Sequence, residues 1–370
     1  MVSINSITTS LKQHKHIILG GLFALILIGL FTLTLKAQWV VDTIHINQSS
    51  EQYELFKALG LKGEQFKPMA LPPVEPNRLD ILVLGIRGIG EEFGGLLTDT
   101  ILLLSLNKEN GQASMISIPR DLFITLPYNG SVKINEVYGL GFDEGGESLA
   151  FHLVKTVLSQ ISGIYIDGVI RVDFQGFKKL IDSVEGVDIY LDKPFVEIAQ
   201  WEGKGGFTLP GGWNHLNGEQ TLFFIRSRFA TSDFDRSRRQ QEILLALKNK
   251  MISIGFLSNP LKIYNVLDII GSHVKTDLTL DISQAITLSN TIDYRNIKRL
   301  LLTTQNYLYQ GTAPSGAYIL LPKEGNFNEI QYVIKNIFTL DEREYNRVIN
   351  NHYPLPNATA TPASLKEIGE

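Results

Sequence analysis

Residues Leu79 to Pro119 read LDILVLGIRGIGEEFGGLLTDTILLLSLNKENGQASMISIP, and this stretch decides the fold. It holds three short apolar runs, LDILVLG (79–85), DTILLLSL (99–106) and ASMISIP (113–119). Runs of this length are typical of strands buried on both faces. The last two flank NKENGQ, a predicted hairpin turn.

Downstream, helical patterns interleave with further strands. ESLAFHLVKTVLSQI has apolar residues at helical spacing, and DFQGFKKLIDSV opens with Asp173 as an N-cap. GVIRV and GVDIYL are strand-like. LNGEQTLFFIR pairs Asn217 with Gln220 in a capping-box pattern, and a longer helix is expected from about Asp235. Pro260 after Asn259 and Asp281 mark further helix starts, KRLLLT and AYILLP read as strands, and FNEIQYVIKNIF as a last amphipathic helix. The alternation predicts an α/β fold, a three-layer α/β/α sandwich with a mixed central sheet.

Upstream, IILGGLFALILIGLFTLTL (17–35) carries no charge and as a helix would span roughly 28 Å, close to the hydrocarbon thickness. Lys12 and Lys15 precede it, so the positive-inside rule keeps 1–16 in the cytoplasm and places the rest outside. The run is longer than a signal-peptide core and no small-x-small cleavage site follows, which favours a retained single-pass anchor at the cell membrane. Residues 36–77 are mixed and polar and end among Pro68, Pro72, Pro73 and Pro76, which suggests an extracytoplasmic stalk. The folded domain is expected over 78–340, with a disordered tail over 341–370.

A formal charge of −4 over 370 residues argues against nucleic acid as a partner, because such proteins need a basic face to replace counterions. Cysteine is absent, which removes disulfides, thiolate metal sites and cysteine nucleophiles. Against this acidic background, RSRFATSDFDRSRR (226–239) concentrates five arginines and two aspartates. A planar guanidinium suits phosphate because it donates paired hydrogen bonds and stays charged when partly buried. Arg236, Arg239, Gln240, Ile243 and Leu247 share one helical face. Helix-end ion pairs explain the same pattern without a ligand, and Arg238, one turn before Glu242, reads as a solvated residue.

Arg120 and Asp121 follow a buried strand, where α/β sheets place ligand residues, and Asp99 stands at the mouth of another. One carboxylate there could ligate a hard divalent cation. The glycines of LGIRGIG match neither the dinucleotide nor the P-loop fingerprint. No serine–histidine–acid order stands out; His152 reads as structural, and His215 as a loop residue able to touch substrate.

The ordered set TDTILLLSLN, SMISIPRDLF, VKINEVY, RVDFQGFKKLIDSVEGVDIY, LNGEQTLFFIRSR and SDFDRSRRQQEIL resembles the LytR-CpsA-Psr family of bacterial envelope proteins over about 79–249. The resemblance implies a membrane-anchored phosphotransferase that moves a glycopolymer from an undecaprenyl-pyrophosphate carrier to peptidoglycan or another envelope acceptor. It also implies a divalent ion, Mg2+ or Mn2+, on the pyrophosphate and an apolar tunnel for the isoprenoid tail. Carried over by motif, Asp99 would hold the metal, and Arg120, Arg226, Arg228, Arg236 and Arg239 the pyrophosphate, with Arg120, Asp233 and Arg236 catalytic. The family's GxDxR reads GIRGIG here, so Arg87 stands where a carboxylate is usual. Arg87 is then expected among the pyrophosphate ligands and to weaken the metal requirement, with Glu91 and Glu92 as substitute ligands. A polyprenyl-pyrophosphate phosphatase and a non-catalytic lipid-pyrophosphate-binding module are the rival readings; a DNA-binding regulator is not, since no helix-turn-helix unit is recognisable.

Overall fold

Five side chains, Val169, Leu82, Leu103, Ile116 and Leu300, form one continuous row across the central sheet. Each is no more than 1% exposed, and the strand registers place them side by side. Burying such a side chain stabilises the fold by about 1.5–3 kcal/mol, so this row is a large share of what makes the sheet form.

The computed structural model describes residues 32–349, apart from 47–70, 90–94, 127–129, 199–204, 229–230, 256–258 and several positions between 280 and 295. Helix α1 covers 32–44. There follow β1 (Arg78–Ile86), β2 (Thr98–Asn107), β3 (Ala113–Ser117), β4 (Phe123–Leu126), β5 (Gly130–Lys133), α2 (Val137–Ser162), β6 (Gly168–Asp173) and α3 (Phe174–Ser183). Next come β7 (Val187–Leu191), β8 (Phe195–Glu197), β9 (Phe207–Leu209), β10 (Gly212–Leu216), α4 (Gly218–Arg226), α5 (Asp233–Ser253) and α6 (Pro260–His273). The chain continues through β11 (Val274–Thr276), β12 (Lys298–Leu301), β13 (Leu308–Thr312), β14 (Tyr318–Pro322), α7 (Asn328–Lys335) and α8 (Glu342–Ile349).

The fold is mixed α/β. Six strands form the central sheet in the order β11-β6-β1-β2-β3-β12, with β1–β6 and β3–β12 parallel and the other neighbours antiparallel. Helices cover both faces. Leu82, Leu84 and Ile86 share a core with Ala150, Val154 and Ile161 of α2 and with Ile330 and Ile334 of α7. On the opposite face α5 lies against the sheet: buried Gln241 donates to Ser117 Oγ at 2.8 Å and to Leu300 O at 3.2 Å. A second core joins α3, α4, α5 and α6 to the small β7–β10 sheet.

Local sequence logic is visible at the helix starts. Asp173 caps α3 by accepting from Gly176 N, and Asn217 and Gln220 form the reciprocal capping box of α4. Asn259 caps α6 ahead of Pro260. Helix α5 begins at Asp233, earlier than expected, because Ser232 and Asp235 cap each other reciprocally. Two predicted strands leave the main sheet: β7 pairs with β10, and β14 with β13.

Two boundaries are corrected. Part of the expected stalk packs on the domain: Val40 is 2% exposed, and Ile46 N donates to Thr276 O at 2.7 Å. The expected tail begins with α8, whose Tyr345 hydroxyl accepts from Arg299 N at 2.7 Å and joins the main core. Among the described residues no helix is long and apolar enough to cross a membrane. Residues 17–31 of the apolar run, Glu91 and Glu92, the helix start at Asp281, and the tail from 350 onward lie outside the described residues.

Candidate functional site

The sheet positions the site through its ends. Arg87 follows β1, Asp99 is the second residue of β2, and Arg120 lies three residues past β3, all at one end of the sheet. Because β1 and β6 are parallel, this is also the end beyond their carboxyl termini, where open α/β sheets bind ligands. The N-terminus of α5 adds Arg236, and the end of α4 and the turn after it add Arg226 and Arg228.

These residues line one cavity of about 710 Å³. Arg87, Arg120, Lys133, Arg226, Arg228 and Arg236 face Asp99, Asp121 and Glu136 in its lining. Six cationic side chains against three carboxylates leave a positive excess, which calls for an anionic ligand.

Arg120 is the hub. It donates through Nη1 to Asp99 Oδ1, and its Nε lies 3.7 Å from both Asp121 Oδ2 and Asp233 Oδ1 without a hydrogen-bond partner of its own. Burial works against its charge, yet Asp99, Asp233 and Asp121 hold its pKa above the ordinary arginine value. Arg236 is 4% exposed and donates to Asp233 Oδ2 at 2.9 Å and to Asp99 O at 3.3 Å. Its Nε is likewise buried without a partner. Arg228 Nη1 lies 4.0 Å from Asp233 Oδ1, and the Arg226 guanidinium stacks 4.7 Å from the Phe174 ring centroid.

Burial pushes the Asp233 pKa up despite Arg236 and Arg120, and pulls that of Arg236 down despite Asp233. Both shifts have one cause, the cost of keeping charge away from water.

Arg239 does not join this group. It is 3% exposed and absent from the cavity lining, and it donates to Phe224 O at 2.8 Å, to Ser227 O and to Thr231 Oγ1 at 3.1 Å. Its guanidinium lies 5.1 and 5.4 Å from the rings of Phe195 and Phe224. The expected pyrophosphate ligand is therefore a tie that satisfies the terminal carbonyls of α4 and fixes the turn carrying Arg226 and Arg228. Arg238, paired with Glu242 at 3.0 Å, is the partly solvated residue expected.

Neither histidine reaches the cavity: His215 is an exposed strand residue paired with Asp188 at 2.7 Å, and His152 sits in α2, its pKa lowered by burial. Lys133, Asn135 and Phe174 were not singled out from the sequence, although VKINEVY contains the first two; Gln240, read there only as sharing a helical face with Arg236, joins the lining. Lys133 donates to Asp121 Oδ1 at 2.6 Å. Asn135 is buried with its Oδ1 unpartnered.

Among the described residues no three histidine, cysteine, aspartate or glutamate side chains converge as a metal-binding group. Asp99 nonetheless faces the cavity with 28% of its side chain exposed. Mg2+ commonly takes one or two carboxylates from protein and the rest of its shell from substrate phosphates and water, and the residues present fit that donor set rather than an all-protein cage.

A sequence model of the LytR_cpsA_psr family matches residues 43–336. The chain is 30% identical over 335 residues to the polyisoprenyl-teichoic acid–peptidoglycan teichoic acid transferase TagU of Oceanobacillus iheyensis, covering 87% of this chain and 95% of that protein. It is 27% identical over 301 residues to the transferase of the same type, TagT, of Bacillus subtilis, covering 79% and 86%. The crystal structure of B. subtilis TagV matches with a TM-score of 0.55 at 26% identity, over 71% of this chain and 98% of that one. Family model, sequence match and fold likeness agree, and the chain belongs to the LytR_cpsA_psr family.

Proposed function

We propose that this chain is a membrane-anchored, extracytoplasmic phosphotransferase that moves a glycopolymer from a polyprenyl-pyrophosphate carrier to peptidoglycan or another envelope acceptor. One observation carries this reading: Arg87, Asp99, Arg120, Arg226, Arg228 and Arg236 converge on a single cavity although they are spread over 150 residues of sequence. The activity for which the relatives TagU and TagT are named, transfer of teichoic acid to peptidoglycan, supports it. A second cavity of about 430 Å³, lined by Leu79, Leu104, Met115, Leu244 and Leu245 among others, lies between the sheet and α5 and is nearly all apolar. It offers the isoprenoid tail a place while the pyrophosphate occupies the polar cavity.

In the reaction, a sugar hydroxyl of the acceptor attacks the phosphorus nearest the donor sugar. A new phosphorus–oxygen bond forms, the bond to the bridging oxygen breaks, and polyprenyl phosphate leaves with that oxygen. Asp233 is not among the cavity-lining residues but contacts Arg120 and Arg236, which are; it is the carboxylate we assign as acceptor of the hydroxyl proton, its raised pKa making it a better acceptor than an ordinary carboxylate. Arg120, Arg228 and Arg236 neutralise charge developing on the transferred phosphoryl group, and Arg87 and Arg226 hold the remaining oxygens. Phosphoryl transfer rests on positioning and electrostatics, so no histidine is required. A divalent cation on Asp99, when bound, adds charge neutralisation at the pyrophosphate.

Lipid extraction from the protein purified out of membranes, followed by mass spectrometry, tests the donor class. A polyprenyl pyrophosphate or its sugar conjugate is expected at near-stoichiometric amount. Extracts holding only bulk phospholipid would count against the reading.

A further inference from the structure

The β13–β14 hairpin is tied to the segment that carries Arg120. Leu122 and Leu320 form a parallel bridge, and Leu320 N donates to Asp121 O at 2.9 Å. Two residues back along the two chains stand Arg120 and Tyr318, so the bridge brings the start of β14 beside the hub of the arginine cavity. Ala317 lines that cavity, and Tyr318 is the next residue.

The strand sets where the Tyr318 ring goes. Side chains two apart share a face, and Leu320 packs in the main core with Leu122 and Leu308. Tyr318 therefore projects toward the domain. Ile319 and Leu320 are 3% and 2% exposed, whereas Tyr318 is 44% exposed, so the core has run out at this point in the strand and the ring stands at the cavity rim. Its phenol pKa is raised by partial burial and then by the carboxylates of Asp121 and Asp233, which puts both within electrostatic reach.

This rim lies across the sheet from the side given to the lipid. The apolar cavity that suits the isoprenoid tail is between the sheet and α5. The hairpin joins the core on the other face, where Leu308 and Leu320 pack with residues of α2 and α7. In an in-line displacement the attacking and leaving oxygens stand on opposite sides of the phosphorus. With polyprenyl phosphate leaving toward α5, the attacking sugar comes in from the hairpin side, past Tyr318 and within reach of Asp233.

A half-exposed ring there has a use. The face of an aromatic ring is electron-rich, and the C–H groups on one side of a pyranose carry partial positive charge, so a sugar ring lies flat against it. The arginines cannot supply this contact, because they select phosphate oxygens. We propose that Tyr318 is a specificity-determining residue for the acceptor: its ring takes a pyranose ring of the acceptor glycan and seats that sugar with its hydroxyl toward the phosphorus. This rests on the phosphotransferase reading above.

Full-length protein would be assayed with a polyprenyl-pyrophosphate-linked glycan as donor and soluble peptidoglycan glycan strands as acceptor, each varied at saturating levels of the other. Tyr318→Ala should raise the acceptor KM about five- to tenfold, the factor expected for losing one ring contact. Donor KM, and kcat at saturating acceptor, should stay within about twofold of wild type, the split that marks lost ground-state binding rather than a disturbed site. Tyr318→Phe and Tyr318→Trp keep an aromatic face and should stay near wild type. Tyr318→Leu keeps bulk without that face and carries the same expectation as Tyr318→Ala, which covers the case in which the alanine variant misfolds. An unchanged acceptor KM in the folded alanine or leucine variant overturns the assignment, and so does a rise confined to the donor KM. A loss in Tyr318→Phe as large as in Tyr318→Ala shows the hydroxyl making the contact and overturns the stacking. Wild-type protein that releases glycan phosphate into water and joins it to no acceptor overturns the phosphotransferase reading itself, a result distinct from any loss confined to the variants.

Discussion

Arg120 donates through Nη1 to Asp99 Oδ1, linking the residue beyond β3 to the second residue of β2 across the wall of the polar cavity. The guanidinium is held in place before any ligand arrives, with Asp121 and Asp233 each 3.7 Å from its Nε. Preorganised donors of this kind stabilise charge without reorganising during the reaction, and they cost activity when removed.

Arg120→Ala or Arg228→Ala should therefore lower transfer at least about a hundredfold, the effect expected for losing one such donor. Initial rates on a lipid-linked donor, with circular dichroism to confirm folding, provide the check. Full transfer by either folded variant would refute its role.

Arg87 lines the cavity, and on the proposed mechanism its fixed guanidinium supplies part of the charge a metal would bring. The wild-type protein should keep measurable transfer after chelation, and Arg87→Ala should lose nearly all of it under the same treatment. Activity that chelation abolishes in the wild type and that Arg87→Ala leaves unchanged with Mg2+ present would contradict this.

The pH dependence follows from Asp233, whose pKa burial raises above the ordinary 3.8. As a proton acceptor it works only when ionised, so kcat/KM should climb with pH through an acid limb displaced upward from that of an ordinary aspartate. Asp233→Asn should remove that limb along with most of the rate. An unchanged limb in the variant would assign it to another group.

Arg239 predicts a different outcome. Its donors satisfy two carbonyls and a hydroxyl in the turn between α4 and α5, so Arg239→Ala should destabilise the protein by roughly 3–5 kcal/mol, the cost of breaking a buried charged network. Arg238→Ala, at the helix surface, should stay within about 0.5 kcal/mol. Thermal unfolding of the two variants in detergent separates them, and equal midpoints would remove the structural role.

Much of this was legible because it is local. The capping residues Asp173, Asn217, Gln220 and Asn259 act within one helical turn, and the 98–117 hairpin is encoded by two apolar runs and the turn between them. The convergence of Arg120 with Arg226 to Arg236 came through motif order rather than spacing, since residues 100 apart carry no shared periodicity. Arg239 misled because a three-residue step gives only a roughly shared helical face: it turns the side chain about 60° round the axis, and the four-residue step to Gln240 about 40° the other way. Gln240 lines the cavity with Arg236, whereas Arg239 meets the carbonyls of Phe224 and Ser227. The packing of α1 and α8 was missed because Val40 stands in a mixed segment and Tyr345 in a polar one, and only tertiary contact reveals that each packs on the domain.

The central claim is transfer from a polyprenyl-pyrophosphate donor, and the products of one reaction test it most directly. Full-length protein would be incubated with a polyprenyl-pyrophosphate-linked glycan, with and without peptidoglycan, and the products resolved by mass spectrometry. The account predicts a phosphodiester-linked adduct on peptidoglycan and polyprenyl monophosphate released in equal amount, both dependent on the acceptor. Glycan phosphate released into water at the same rate with acceptor present, or saturable donor binding with no product, would contradict it.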